Sequence, residues 1–152
     1  MDRGNRSTYN ALRSWDRANV VLAGGCFDIF HIGHLEYLSG SKELGDILLV
    51  GINSDASYYR AKGRKPVFSQ TERQQVISAL RMVDEVFIFD DDHIGNAIRA
   101  IRPAVFAKGI DYADKPLPQE EVMAVQYVGG RIAYVGKSKR SSSSILREKF
   151  VH

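Results

Sequence analysis

Short apolar runs recur along the chain, separated by stretches whose apolar residues fall at helical spacing. Val20-Val21-Leu22-Ala23, Ile47-Leu48-Leu49-Val50-Gly51-Ile52, Val86-Phe87-Ile88-Phe89, Val105-Phe106-Ala107 and Ile132-Ala133-Tyr134-Val135 are nearly continuous rather than alternating. Runs of that kind predict parallel strands covered on both faces. Between them, Leu35, Leu38 and Leu44 predict the inner face of a helix that Gly45 ends. Ser69 followed by Glu72 has the capping-box pattern, and Val76, Ile77 and Leu80 predict an inner stripe behind it. A further helix is expected over Ile94 to Ile101, stopped before Pro103. Another is opened by Pro118, runs to about Val128 and is closed by Gly129-Gly130. Tyr58 to Val67 reads as a basic, turn-rich segment, with Arg64 a solvated loop residue. Short helices are expected near Trp15 and over Ile145 to Phe150. Strands alternating with helices predict an α/β protein, a single doubly wound, Rossmann-like domain with a five-stranded parallel sheet. Residues 1–18 are expected to be an N-terminal extension and 19–152 the domain.

Composition narrows the class without changing the fold. A chain of 152 residues with 44% hydrophobic content can bury one real core. The net charge of +3 suits anionic small substrates and is too mild to argue for nucleic acid. Cys26 is the single cysteine, so no internal disulfide is available and a reducing compartment is expected. The polar first residues and the lack of any long apolar run point to a soluble, cytoplasmic protein without a membrane segment.

The chemistry concentrates in Gly24-Gly25-Cys26-Phe27-Asp28-Ile29-Phe30-His31-Ile32-Gly33-His34. This stretch follows the first strand and leads into a helix, delivering two histidines to one helical face. A helix N-terminus is an anion site, and two imidazoles beside it suggest phosphate chemistry. Capping alone would not require both. Cys26 reads as a small turn residue rather than a nucleophile. Asp90-Asp91-Asp92 read as acids complementing the dipole of the following helix rather than as a metal cluster. His93-Ile94-Gly95-Asn96 echoes the first motif and is taken as chance.

The pattern Gly25-x-Phe27-Asp28-x-x-His31-x-Gly33-His34 resembles the signature of the cytidylyltransferase-like nucleotidyltransferases. The run Asn53-Ser54-Asp55, then Arg60-x-Lys62-Gly63, Pro66 and Glu72-Arg73, is similar to the adenylyltransferase part of ADP-heptose synthases. Lys108-Gly109-x-Asp111-Tyr112 resembles a motif of the same enzymes. The resemblance implies nucleotidyl transfer from ATP to a sugar 1-phosphate, favouring a heptose 1-phosphate, with release of pyrophosphate. It implies that His31 and His34 contact the α-phosphate region, while Lys62 and Arg73, with Arg60 behind them, hold the departing phosphates. Gly25, Cys26, Phe27, Asp28 and Gly33 would line the nucleotide site, Asp28 chiefly by orienting the turn. Lys108, Gly109 and Asp111 would meet the base or ribose. Ser142, Ser143 and Ser144 stand where the family carries a Ser-Thr-Thr type motif for the triphosphate, here without the threonine methyls. Magnesium is expected as cofactor, held by the triphosphate and not by a protein ligand set. A homodimer or larger homo-oligomer is expected by the same resemblance. The chain has no room for the sugar-kinase domain of the bifunctional enzymes, so a separate kinase is expected to supply the sugar 1-phosphate.

Two alternatives stand beside this reading. One keeps the chemistry and changes the substrates to CTP and glycerol 3-phosphate or another polyol phosphate. The other is a non-catalytic nucleotide-binding module, for which both histidines plus Lys62 and Arg73 would be superfluous.

Overall fold

A computed structural model describes residues 19–137. The strands are β1 (Val20–Gly25), β2 (Ile47–Asn53), β3 (Glu85–Phe89), β4 (Val105–Gly109) and β5 (Arg131–Val135). They form one parallel sheet in the order β3-β2-β1-β4-β5. The chain thus builds outward from β1 on one side and then returns to build outward on the other. The reversal falls between β1 and β4, where connections leave in opposite directions and a crevice opens at the carboxyl ends of the strands. The expected doubly wound architecture is the one observed.

Side chains alternate across the central strands. Leu22, Leu49, Phe87 and Phe106 face one layer with helices α4 (Gly95–Ile101) and α5 (Gln119–Val128), packing on Ile98 and Val125. Val21, Leu48, Val50 and Val105 face the opposite layer, against Leu38 of α1 (Ile32–Lys42) and Ile77 of α3 (Gln70–Ser78). Both faces are dry, which is why the strand sequences carry no polar alternation.

Three expectations change. Asp55–Lys62 is a helix, α2, and not a run of turns. Ser54 caps it by accepting from the Ser57 N–H at 3.0 Å, and Gly63 ends it at φ +72°, a left-handed position. Val76 is 49% exposed, so the inner stripe of α3 narrows to Ile77 with Leu80 beyond the helix end. Helix α1 stops at Lys42 and a turn carries the chain on to Gly45. At the start of α3, Ser69 Oγ accepts from the Glu72 N–H at 3.2 Å, the first half of the anticipated box.

Two glycines shape the crevice floor. A Cβ on Gly24 or Gly51 would lie 2.7 or 2.9 Å from Ile94 Cδ1. Their bare backbone lets Ile94 seat across β1 and β2, which draws the segment before α4 over the sheet edge and carries His93 with it.

Candidate active site

The crevice at the switch point has a volume of about 580 Å3. The turn after β1 and the start of α1 form one wall. The turn after β4 and the start of α5 form the other, and Lys62 and Arg64 stand at the α2 end.

His31 and His34 each use Nδ1 to cap the start of α1. His31 is the N-cap of α1, its Nδ1 accepting from the Gly33 N–H at 3.0 Å. His34 Nδ1 reaches back to accept from the His31 N–H at 3.2 Å. The pair makes a capping box built from imidazoles, and the rings stack at 3.9 Å between centroids. With each Nδ1 accepting, the ring proton belongs on Nε2, and both side chains line the crevice. Capping by Nδ1 therefore does not occupy Nε2 of either ring. Burial lowers the His31 pKa, and burial followed by the neighbouring imidazole lowers that of His34 to about 4. At neutral pH both rings are uncharged donors.

The turn between β1 and α1 is held in a costly shape. Phe27 is buried at φ +51°, a left-handed backbone that a bulky residue rarely adopts. Its ring packs edge-on against His34 at 5.3 Å and beside Tyr37 at 6.4 Å. Asp28 fixes the segment across from it, accepting from the Val67 and Phe68 N–H groups at 2.9 Å each. Cys26 Sγ donates to Asn53 Oδ1 at 3.4 Å, and burial pushes its thiol pKa up despite Lys62 and Arg73 nearby. A thiol held protonated is a turn residue and not a nucleophile.

Of the three basic residues expected on the departing phosphates, Lys62 alone lines the crevice. Arg73 is 1% exposed and its donors are committed to the protein. Nη1 donates to the Cys26 and Asn53 carbonyls at 2.8 Å, Nε to the Phe68 carbonyl at 3.0 Å, and Nη2 to Asp55 Oδ1 at 2.8 Å. It acts from behind, tying together the turns that bear the site. Arg60 also lies outside the crevice, donating to Asp92 Oδ1 at 2.8 Å and to the Asp90 carbonyl. That bond to Asp92 raises its pKa. Arg64 is exposed, as expected, and stands at the rim with its guanidinium 5.5 Å from the Tyr58 ring centroid.

The acidic triplet does not cap α4, whose N-cap residue is Ile94 with no side-chain cap bond. Asp90 accepts from Ser54 Oγ, Asp92 pairs with Arg60, and Asp91 accepts from Asn96 Nδ2, so these acids brace α2 against the α4 entry. Among the described residues, no group of three or more potential ligands gathers to hold a metal.

On the second wall, Gly109 and Asp111 line the crevice with Lys108. Ser142, Ser143 and Ser144, like residues 1–18 and the expected terminal helices, lie outside the described residues. Three further residues escaped sequence reasoning. Tyr37 sits where β1 and β4 part, beyond the Leu22–Phe106 pairing. Its hydroxyl donates to the Ala107 carbonyl at 2.6 Å and accepts from the Gly24 N–H at 3.2 Å, supplying the missing rung of the ladder. Burial raises its pKa, so the phenol stays a donor. His93 lines the crevice, its Nδ1 accepting from the Gly95 N–H at 3.2 Å just as His31 accepts from Gly33. The sequence echo thus shares one hydrogen bond, although His31 caps its helix and His93 does not. Glu121, in the first turn of α5, is 6% exposed and lies beside Lys108. A His-x-Gly spacing was the visible signal for His93. Nothing local marked Glu121, one of several acids opening a helix.

A parallel sheet in this strand order, with a capped helix N-terminus at its switch point, places the protein in the doubly wound class. The sequence profile described as Cytidylyltransferase-like matches residues 22–149, so the chain belongs to the cytidylyltransferase-like family and is a nucleotidyltransferase. It is 41% identical over 133 residues to "Bifunctional protein HldE" of Geobacter sulfurreducens, covering 87% of this chain and 27% of that protein. Against the protein of the same name from Campylobacter concisus the identity is 46% over 120 residues, 76% of this chain and 25% of the relative. The chain spans about a quarter of the length of these relatives. The crystal structure of the lipopolysaccharide core biosynthesis protein from Thermoplasma volcanium superposes with a TM-score of 0.67 at 30% identity, covering 80% of this chain and 98% of that one. Pantoate-beta-alanine ligase of Francisella tularensis gives a TM-score of 0.60 at 14% identity over 97% of this chain and 71% of that one, a likeness of fold alone. The resemblance read from the histidine signature is thereby borne out. Among the described residues, no helix is long and apolar enough to cross a membrane.

Proposed function

We propose that this chain transfers AMP from ATP to a sugar 1-phosphate, with a heptose 1-phosphate as the favoured acceptor. A phosphate oxygen of the acceptor attacks the α-phosphorus in line, the bond to the bridging oxygen breaks, and pyrophosphate leaves. The observation that carries this reading is the pair of Nε2–H donors on His31 and His34 at the N-terminus of α1, facing a crevice that Lys62 also lines. Uncharged donors beside a helix N-terminus suit a phosphorus centre whose equatorial oxygens gain charge in the transition state. Lys62 supplies positive charge toward the leaving phosphates. Magnesium would be carried by the triphosphate, where it would offset charge on the leaving pyrophosphate. The heptose assignment draws on the HldE relatives and on Lys108-Gly109-x-Asp111-Tyr112, whose four named residues line the second wall.

The test is magnesium-dependent pyrophosphate release with ATP and CTP, each against heptose 1-phosphate and glycerol 3-phosphate. Release from ATP with the heptose phosphate alone is expected. Release only from CTP overturns the substrate assignment while keeping the histidine mechanism, and silence from all four pairs overturns the proposal.

A further inference from the structure

The wall opposite the histidines carries a polar cluster that the transfer step does not use, Glu121 buried and Lys108 and His93 half-buried. Glu121 is 6% exposed, and its Oε2 has no hydrogen-bond partner among the described residues. The nearest cation, Lys108 Nζ, stands at 3.7 Å, close enough for attraction and too far for a hydrogen bond. Lys108 is itself held in place, its Nζ 4.6 Å from the Tyr112 ring centroid and 5.5 Å from that of Phe106. His93 borders the same space with Nδ1 occupied by the Gly95 N–H, which leaves Nε2–H as its donor.

A buried carboxylate oxygen without a donor is unfavourable, and natural sites that keep one generally meet a donor from elsewhere. The surroundings select that donor. A ligand cation would be opposed by Lys108, and a ligand anion by Glu121. A neutral hydroxyl suits both, donating to the carboxylate and accepting from Nζ or from the imidazole. Two adjacent hydroxyls satisfy the cluster as a whole.

We propose that Glu121, Lys108 and His93 form a subsite that recognises a vicinal diol of a sugar, and that Glu121 is its specificity-determining residue. The identity of the sugar rests on the nucleotidyl-transfer reading, in which a ribose and an acceptor sugar both enter the crevice. Recognition of either uses the same chemistry.

The experiment is equilibrium binding to the full chain and to Glu121→Gln, which keeps side-chain volume and removes the charge. One arm titrates ATP or CTP, whichever binds, with its 2′-deoxy and 3′-deoxy forms. The other titrates heptose 1-phosphate and its singly deoxygenated ring analogues. In one arm, losing the hydroxyl or the carboxylate is expected to weaken binding by about 10- to 100-fold, as for a hydrogen bond to a charged group. Losing both is expected to cost little more than losing one. Coupling in the nucleotide arm identifies the diol as ribose, and coupling in the acceptor arm identifies it as the acceptor's. Independent, additive losses in both arms, or no binding of either probe, overturn the subsite. Pyrophosphate release by the unaltered chain is measured in parallel. No release from any pair refutes the transfer reading separately, whereas intact release without coupling refutes the subsite alone.

Discussion

Arg73 offers the sharpest test of how this site is built, because the same residue suits two opposed roles. A guanidinium near a phosphate crevice is ordinarily taken for a phosphate ligand. Here it is 1% exposed and satisfies three backbone carbonyls and one carboxylate. Those partners belong to the turn after β1, the end of β2, the start of α2 and the approach to α3. Replacing Arg73 with methionine keeps much of the volume and leaves the Cys26, Asn53 and Phe68 carbonyls without their donor. Removing one member of a buried charged network typically costs about 3–5 kcal/mol. Solvent reaching the partly exposed Asp55 places the expectation near the lower end, about 3 kcal/mol. For a chain of this size that corresponds to a fall in Tm of about 6–12 °C. Lysine should rescue little, since a single ammonium cannot reproduce the planar fork. The assay is thermal unfolding without nucleotide, followed by nucleotide affinity well below the new Tm. A variant with unchanged Tm and lost triphosphate affinity would refute the reasoning and return Arg73 to the list of phosphate ligands.

Other consequences follow from the histidines and from Lys62. His34→Ala should lower turnover by about two to four orders of magnitude, as for loss of a transition-state donor, and near-full activity would remove His34 from the mechanism. Lys62→Ala should weaken triphosphate handling without lowering Tm, because Lys62 is exposed at the end of α2; unchanged ATP KM and kcat would exclude that role. Acid should destabilise the protein through His34. Its folded pKa of about 4 lies below the usual 6.5, so between those values the unfolded chain binds more protons and stability falls as pH falls, levelling below about pH 4. After allowance for partial exposure the contribution is about 2 kcal/mol. Denaturant titrations at neutral pH and near pH 4.5 should therefore show a larger acid loss in the unaltered chain than in His34→Gln, and equal losses would disprove the assignment.

The sequence by itself determined the architecture and one wall of the site. Continuous apolar runs identify strands covered on both faces, and their alternation with helices leaves few topologies other than the doubly wound one. Gly25 to His34 was legible because its parts are adjacent in the chain: a strand end, a turn and a helix cap within one short stretch. Local spacing could not say which way the basic residues point. Arg73 and Lys62 both lie on helices near the crevice, and only packing turned one inward to the backbone and left the other at the rim. Helix α2 was hidden for a related reason. It has few apolar residues, so it is fixed by its Ser54 cap, its Gly63 end and its ties to Asp90–Asp92 rather than by periodicity. The second wall was least legible of all. His93 comes from the segment before α4, Lys108 from the end of β4 and Glu121 from the first turn of α5, and the fold alone brings them to one crevice. Burial then turns an ordinary helix-opening glutamate into a group that calls for a ligand.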